Sequence, residues 1–169
     1  MRSGAVVRLD GPHRSLVGAP LPQPRVLRAP GHEVSRLDDV LGRGWSLLGT
    51  GVTDADWATV TTVRPGLPDA TRVDVCLDDR APRDHVGRTG IADADGRLDA
   101  HFAGLAGRFV LVRPDRLVAA VFTPDRAGDV AARLRRSTGG AGDGTSAEPA
   151  ARPSRPEPQV KPHIQGVRP

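Results

Sequence analysis

The sequence holds one cysteine (Cys76), no tyrosine, three phenylalanines and two tryptophans, and Lys161 is the lone lysine among its 24 basic residues. A single thiol excludes an internal disulfide, a CxxC redox pair and a Cys-based metal cluster within the chain, and it fits a cytoplasmic setting. With aromatics at 3%, the core has to be built from Val, Leu and Ala, and an exposed platform for stacking bases is excluded. The formal charge is +4, yet the 24 basic and 20 acidic residues are interspersed without a stripe or a long run. That pattern describes a solvated mixed-charge surface, so no nucleic-acid partner is expected. No stretch of about 18 apolar residues occurs. Met1 to Asp10 carries only a short apolar patch broken by Arg8, so neither a leader nor a membrane span is expected.

The motifs of several chemistries are missing as well. A dinucleotide fingerprint needs three spaced glycines between a strand and a helix. Here Gly42 and Gly44 are followed by Leu47 at the third position, Gly140 and Gly142 by Thr145, and Gly49 and Gly51 by Asp54, whose carboxylate would repel phosphate. His13, His32, His85, His101 and His163 form no HxxxH or HExxH pair suited to zinc. Ser3, Ser15, Ser35 and Ser46 lie in no GxSxG elbow. Asp38 with Asp39, and Asp78 with Asp79, read as solvated pairs at element ends. No catalytic, cofactor-binding or metal-binding residue is therefore expected.

What the sequence does contain is the pattern of one α/β domain with extended ends. The stretch Gly11 to Pro30 carries Pro12, Pro20, Pro22, Pro24 and Pro30, which disfavour helix and central strand and predict an extended arm over residues 1–30. From Ser137 onward, Gly, Pro, Ser and charges replace the apolar residues, so 137–169 reads as a disordered tail. Between them, Arg36 to Leu41 predicts a helical turn and Trp45 to Leu48 a buried strand. Thr53 predicts a helix N-cap followed by Asp54 and Asp56, with Trp57 and Val60 on one face. Arg72 to Leu77 alternates as a second strand, with Val73, Val75 and Leu77 against Asp74 and Cys76. A turn-rich segment containing Gly87, Gly90, Asp95 and Gly96 precedes a helix over Leu98, Phe102 and Leu105. Phe109 to Val112 and Leu117 to Phe122 form a hairpin about the turn Arg113–Arg116, and Thr123 with Pro124 opens a last helix. The order βαβ, α, ββ, α is that of a thioredoxin-like fold, a mixed central sheet with helices on both faces, spanning 31–136. Ferredoxin-like and Rossmann-like arrangements share much of this order. Cys76, inside a strand, reads as a buried structural thiol, and both tryptophans read as core.

Three segments carry a family resemblance: LVGAPLPQPRVL (Leu16 to Leu27), RLDDVLGRGWSLLG (Arg36 to Gly49) and RFVLVRPDRLVAAVF (Arg108 to Phe122). With DADGRLDAHFAGLAGRFVLVRPDR (Asp93 to Arg116), the series resembles the C-terminal thioredoxin-like domain of class A FAD-dependent aromatic-ring hydroxylases, including phenol and phenylpropionate hydroxylases and polyketide oxygenases. The resemblance spans Leu16 to Leu134. It implies FAD and NAD(P)H for the parent family, but the flavin-binding and substrate-binding parts of such enzymes have no counterpart here. Asp95–Gly96 and Gly128–Asp129 stand in the wrong places for the family's flavin contacts. The implied function is a non-catalytic interaction or stabilising domain that packs on a flavin-binding domain or on a second copy. Trp57, Pro22 and Pro24 are the candidate contact residues. One alternative is a component of a split hydroxylase whose flavin domain is a separate chain; another is a thioredoxin-like redox or binding protein using Cys76.

Overall fold

The computed structural model describes residues 6–7, 16–63, 66–77 and 81–139. Residues 137–139 of the expected tail belong instead to the last helix, and the tail from 140 onward, Pro65 and the Asp78–Asp79 pair lie outside the described residues. Seven strands make one sheet: β1 (Arg25–Arg28), β2 (Glu33–Arg36), β3 (Trp45–Thr50), β4 (Ala70–Cys76), β5 (Thr89–Asp93), β6 (Arg108–Val112) and β7 (Val118–Phe122). Four α-helices accompany them: α1 (Leu37–Leu41), α2 (Asp54–Thr62), α3 (Arg97–Phe102) and α4 (Ala127–Gly139). The strand order is β2-β1-β5-β4-β3-β6-β7, with β3, β4 and β5 mutually parallel and the remaining pairings antiparallel.

The four adjacent strands β4-β3-β6-β7, with α2 linking the parallel pair and a hairpin on the other side, are the thioredoxin-like core. Strand alternation sends side chains to opposite faces. Leu48, Val73, Val75, Ile91 and Val110 enter a cluster closed by Leu37, Leu41, Leu98 and Phe102. Leu47, Phe109 and Leu111 enter a second cluster closed by Trp57 and Val60 of α2 and Val130 and Leu134 of α4. Helices therefore cover both faces.

Three strands are additions to the expected order. β5 escaped the sequence reading because Gly87, Gly90 and the Asp95–Gly96 turn crowd its five residues with turn signals. β1 and β2 escaped it because of the prolines, yet Pro24 and Pro30 flank β1 and leave its ladder donors intact. The expected boundary between 30 and 31 thus falls inside the sheet. Upstream, the arm lines the β7 edge, where Gly18 donates to the Val118 carbonyl at 2.8 Å and Val118 donates to that of Ala19 at 2.9 Å. Val17 and Leu21 then enter the first cluster, so the arm packs beneath the sheet as it runs toward β1.

Local details mostly follow the sequence. Thr53 and Asp56 form a complete capping box at α2. Gly96 takes a left-handed φ of 77° at the turn before α3. Asp93 accepts from the backbone N–H groups of Asp95, Gly96 and Asp99, and although burial pushes its carboxyl up, these bonds hold it below the usual range. Two expectations need correction. The Thr123 side chain makes no capping bond, because Pro124–Arg126 forms a 3₁₀ turn and α4 starts at Ala127. Asp38 is not simply solvated, since Arg116 of the hairpin turn pairs with its carboxylate and donates to the Gly42 carbonyl at the end of α1. Arg116 is itself held at a φ of 65° to make that contact.

Phe109 links the hairpin to α2: it meets Trp57 edge-on at 4.8 Å and stacks on Phe122 at 5.8 Å, with no exposed surface. Phe109→Ala should cost about 3–5 kcal/mol of unfolding free energy in urea titrations. A loss under about 1 kcal/mol would contradict its central place in the second cluster.

Candidate functional site

The C-terminal ends of β3 and β4, the start of α2 and residues 81–88 enclose a cavity of about 510 Å³, lined by Trp57, Asp74, Cys76, His85 and Arg88 among others. Its geometry begins with Gly49. A side-chain carbon there would lie 2.6 Å from Val52 Cγ2 and 2.8 Å from Trp57 Cζ2, so glycine lets the indole lie against β3. Trp57 is 3% exposed, and its Nε1–H donates to Asp74 Oδ1 at 2.5 Å. The Arg88 guanidinium sits 5.2 Å from the indole centroid. It ion-pairs with two carboxylates from different elements: Asp74 of β4, Nε to Oδ2 at 3.1 Å without hydrogen-bond alignment, and Asp54 of α2 through Nη2. His85 Nδ1 stands 3.9 Å from the same Asp54 carboxylate.

Arg88 favours the charged form of both acids, yet they shift in opposite directions because their burial differs. The Asp74 side chain is 16% exposed, and burial raises its carboxyl above the ordinary value despite the Trp57 bond and the Arg88 charge. Asp54 is 76% exposed, and the hydrogen bond and charge of Arg88 hold it below that value. Asp56 is lowered by the backbone and side chain of Thr53.

This arrangement limits the available chemistry. The first turn of α2 is committed to its own capping box, with Thr53 N–H donating to Asp56 at 2.8 Å, and the carboxylates of Asp54 and Asp56 stand at its mouth. A flavin pyrophosphate does not fit there, because it would meet negative charge and engaged amides. Nor does a thiol occupy that helix start. Cys76 lies on β4 and lines the cavity half-buried, so it is less enclosed than the sequence suggested. Among the described residues, no group of three His, Cys, Asp or Glu side chains could hold a metal ion. Ser46 is fully buried and donates to the Leu41 carbonyl at 3.2 Å. Of the candidate contact residues, Pro22 is exposed while Pro24 and Trp57 are buried within the chain, as the core reading of Trp57 expected, and neither buried side chain offers an open contact surface. Sequence reasoning missed the Asp54–Asp74–Arg88 set. Its one legible signal was the alternation of β4, which put Asp74 on the face opposite Val73 and Val75.

The family model for the HcaD C-terminal domain matches residues 18–137. The chain belongs to this family. It is 37% identical over 128 residues to the 3-(3-hydroxy-phenyl)propionate/3-hydroxycinnamic acid hydroxylase of Paraburkholderia xenovorans (strain LB400), covering 71% of this chain and 20% of that protein. The chain thus spans about a fifth of the length of that curated relative. Among solved structures, aklavinone-11 hydroxylase in complex with FAD and aklavinone is similar with a TM-score of 0.52 at 23% identity, covering 80% of this chain and 25% of that one. The flavin-dependent monooxygenase PieE in complex with FAD and substrate is similar with a TM-score of 0.51 at 21% identity, covering 71% and 19%. These two likenesses establish the shared fold of the domain. Among the described residues, no helix is long and apolar enough to cross a membrane.

Asp74 gives the site a pH signature. A carboxyl raised on folding holds its proton more tightly in the folded than in the unfolded chain. Stability therefore falls as pH rises from the ordinary value of 3.8 through the raised folded value. Relative to Asp74→Asn, the parent should lose stability across that window and level off above it, measured by urea denaturation from about pH 3.5 to pH 7. A difference that stays flat, or that grows in the parent's favour with pH, would contradict the assignment.

Proposed function

We propose that this chain is a non-catalytic packing domain of an FAD-dependent aromatic-ring hydroxylase of the cytoplasm. In this reading it stabilises the assembly while flavin, nicotinamide and aromatic substrate are held by a separate flavin-binding domain. The observation that carries the reading is the family match over 18–137, set against the small share of the curated relative that the chain spans. The α2 start supports it, because its engaged amides and paired carboxylates leave no cradle for a phosphate. The exposed arm at Pro22 is the proposed contact. Pro24 and Trp57 support it from within, since Pro24 accepts from Leu37 N–H at 3.1 Å and Trp57 fastens α2 to β4.

The test is a flavin titration of the purified chain, with absorbance read after gel filtration and thermal unfolding followed in parallel. The expected result is no retained flavin and no rise in the unfolding midpoint. Stoichiometric flavin retention with a midpoint that climbs with ligand concentration, as mass action requires, would overturn the proposal.

A further inference from the structure

Residues 81–88 cross the mouth of the cavity between β4 and β5, and what fastens them is mostly polar. Pro82 is buried, Ala81 and residues 83–87 are exposed, and Val86 at the tip is wholly exposed. The tip is a closed turn: His85 N–H donates to the Arg88 carbonyl at 3.2 Å, Arg88 N–H donates back at 3.0 Å, and Gly87 takes a φ of 75°. At its far end, Gly90 N–H donates to Asp84 Oδ1 at 3.1 Å. A side-chain carbon on Gly90 would come within 2.2 Å of the Arg83 carbonyl oxygen, so that backbone lies flush on the glycine.

Pro82 and the Arg83 backbone pack on the sheet, and the rest of the segment borders open space. The 510 Å³ cavity lies on one side, and a second of about 380 Å³ lies between Asp74 and Cys76 on β4 and Ala81, Arg83 and His85 above. Along that open part few dispersion contacts hold the segment. The bond across the gap is instead the Arg88 side chain, only 10% exposed, clasped between Asp54 and Asp74 and laid over Trp57.

We propose that residues 81–88 are a cover that opens as a unit, and that Arg88 is the latch holding it shut over Trp57 and Cys76. Opening returns the guanidinium and the Asp74 carboxylate to water, Asp54 being 76% exposed already, and uncovers the indole face of Trp57 while leaving the strand ladders paired. It is therefore a local event, cheaper than unfolding the sheet. The cover controls access to the indole face and thiol inside the cavity, independently of the packing role proposed above.

The single cysteine makes the test specific, because only Cys76 can react with a thiol reagent. Its modification rate would be measured in the parent, in Arg88→Gln and in Asp54→Asn, with circular dichroism and urea midpoints taken on each. Arg88→Gln should react about tenfold faster or more, the scale of a charged hydrogen bond acting on an opening equilibrium. Asp54→Asn should fall between the two, and about 1 M salt should speed the parent by screening the exposed Arg88–Asp54 half of the latch. Equal rates in folded parent and folded Arg88→Gln would overturn the proposal. So would a faster rate whose urea dependence equals that of global unfolding. If Arg88→Gln does not fold, Asp54→Asn and the salt series decide, since its carboxylate is 76% exposed. No acceleration in either overturns the latch.

Discussion

The central strands β3 and β6 bury side chains on both faces of the sheet, Leu48 and Val110 into one cluster and Leu47 and Phe109 into the other. A sheet buried on both sides needs helices above and below, and the connections supply them: α1 and α3 close the first cluster, α2 and α4 the second. Because aromatics are scarce, the second cluster relies on a chain of rings, Trp57 against Phe109 and Phe109 against Phe122, to join α2 to the hairpin. The positions of α2 and of its capped N-terminus follow from that contact.

The ends of the sheet are closed by polar and backbone devices. At β7, backbone bonds from the arm cover an edge that would otherwise present unpaired groups. The hairpin turn is tied back to α1 by Arg116, whose side chain reaches the Asp38 carboxylate and the Gly42 carbonyl across 78 and 74 residues of sequence. This contact joins two of the segments that most resemble the hydroxylase domain, RLDDVLGRGW and RPDR. In this chain one segment ends a helix whose C-terminal carbonyl the other satisfies.

At the opposite end of the sheet, the place where a thioredoxin-like fold can present a reactive group at a helix start is occupied differently. Thr53 and Asp56 satisfy one another, and the charges gathered nearby satisfy one another too, with one guanidinium between two carboxylates. Partial burial of Asp74 makes this arrangement costly if any member is lost, because the remaining charge would stand unpaired in a poorly solvated place. Such a network organises a surface. It belongs to a domain whose curated relative is several times its length.

Much of the domain was legible in the residues themselves. The capping box at Thr53, the alternation of β4, the Asp95–Gly96 turn and the hairpin about Arg113–Arg116 are local patterns, written within a few positions and set by backbone geometry and short-range hydrogen bonds. The absence of a second cysteine and of a glycine fingerprint is equally local, and it limited the chemistry before any fold was known. β1, β2 and β5 were not legible, because a four- or five-residue strand beside prolines and glycines is stabilised by the neighbours it pairs with, and those lie up to 67 residues away, as between Val26 and Asp93. The burial of Pro24 and the meeting of Asp54, Asp74 and Arg88 belong to the same class. Sequence alone determined the helix cap, the alternating strand, the hairpin and the lack of a second thiol, since these depend on near neighbours. Tertiary structure decided which charges meet and which surfaces stay open, since both depend on how distant strands stack.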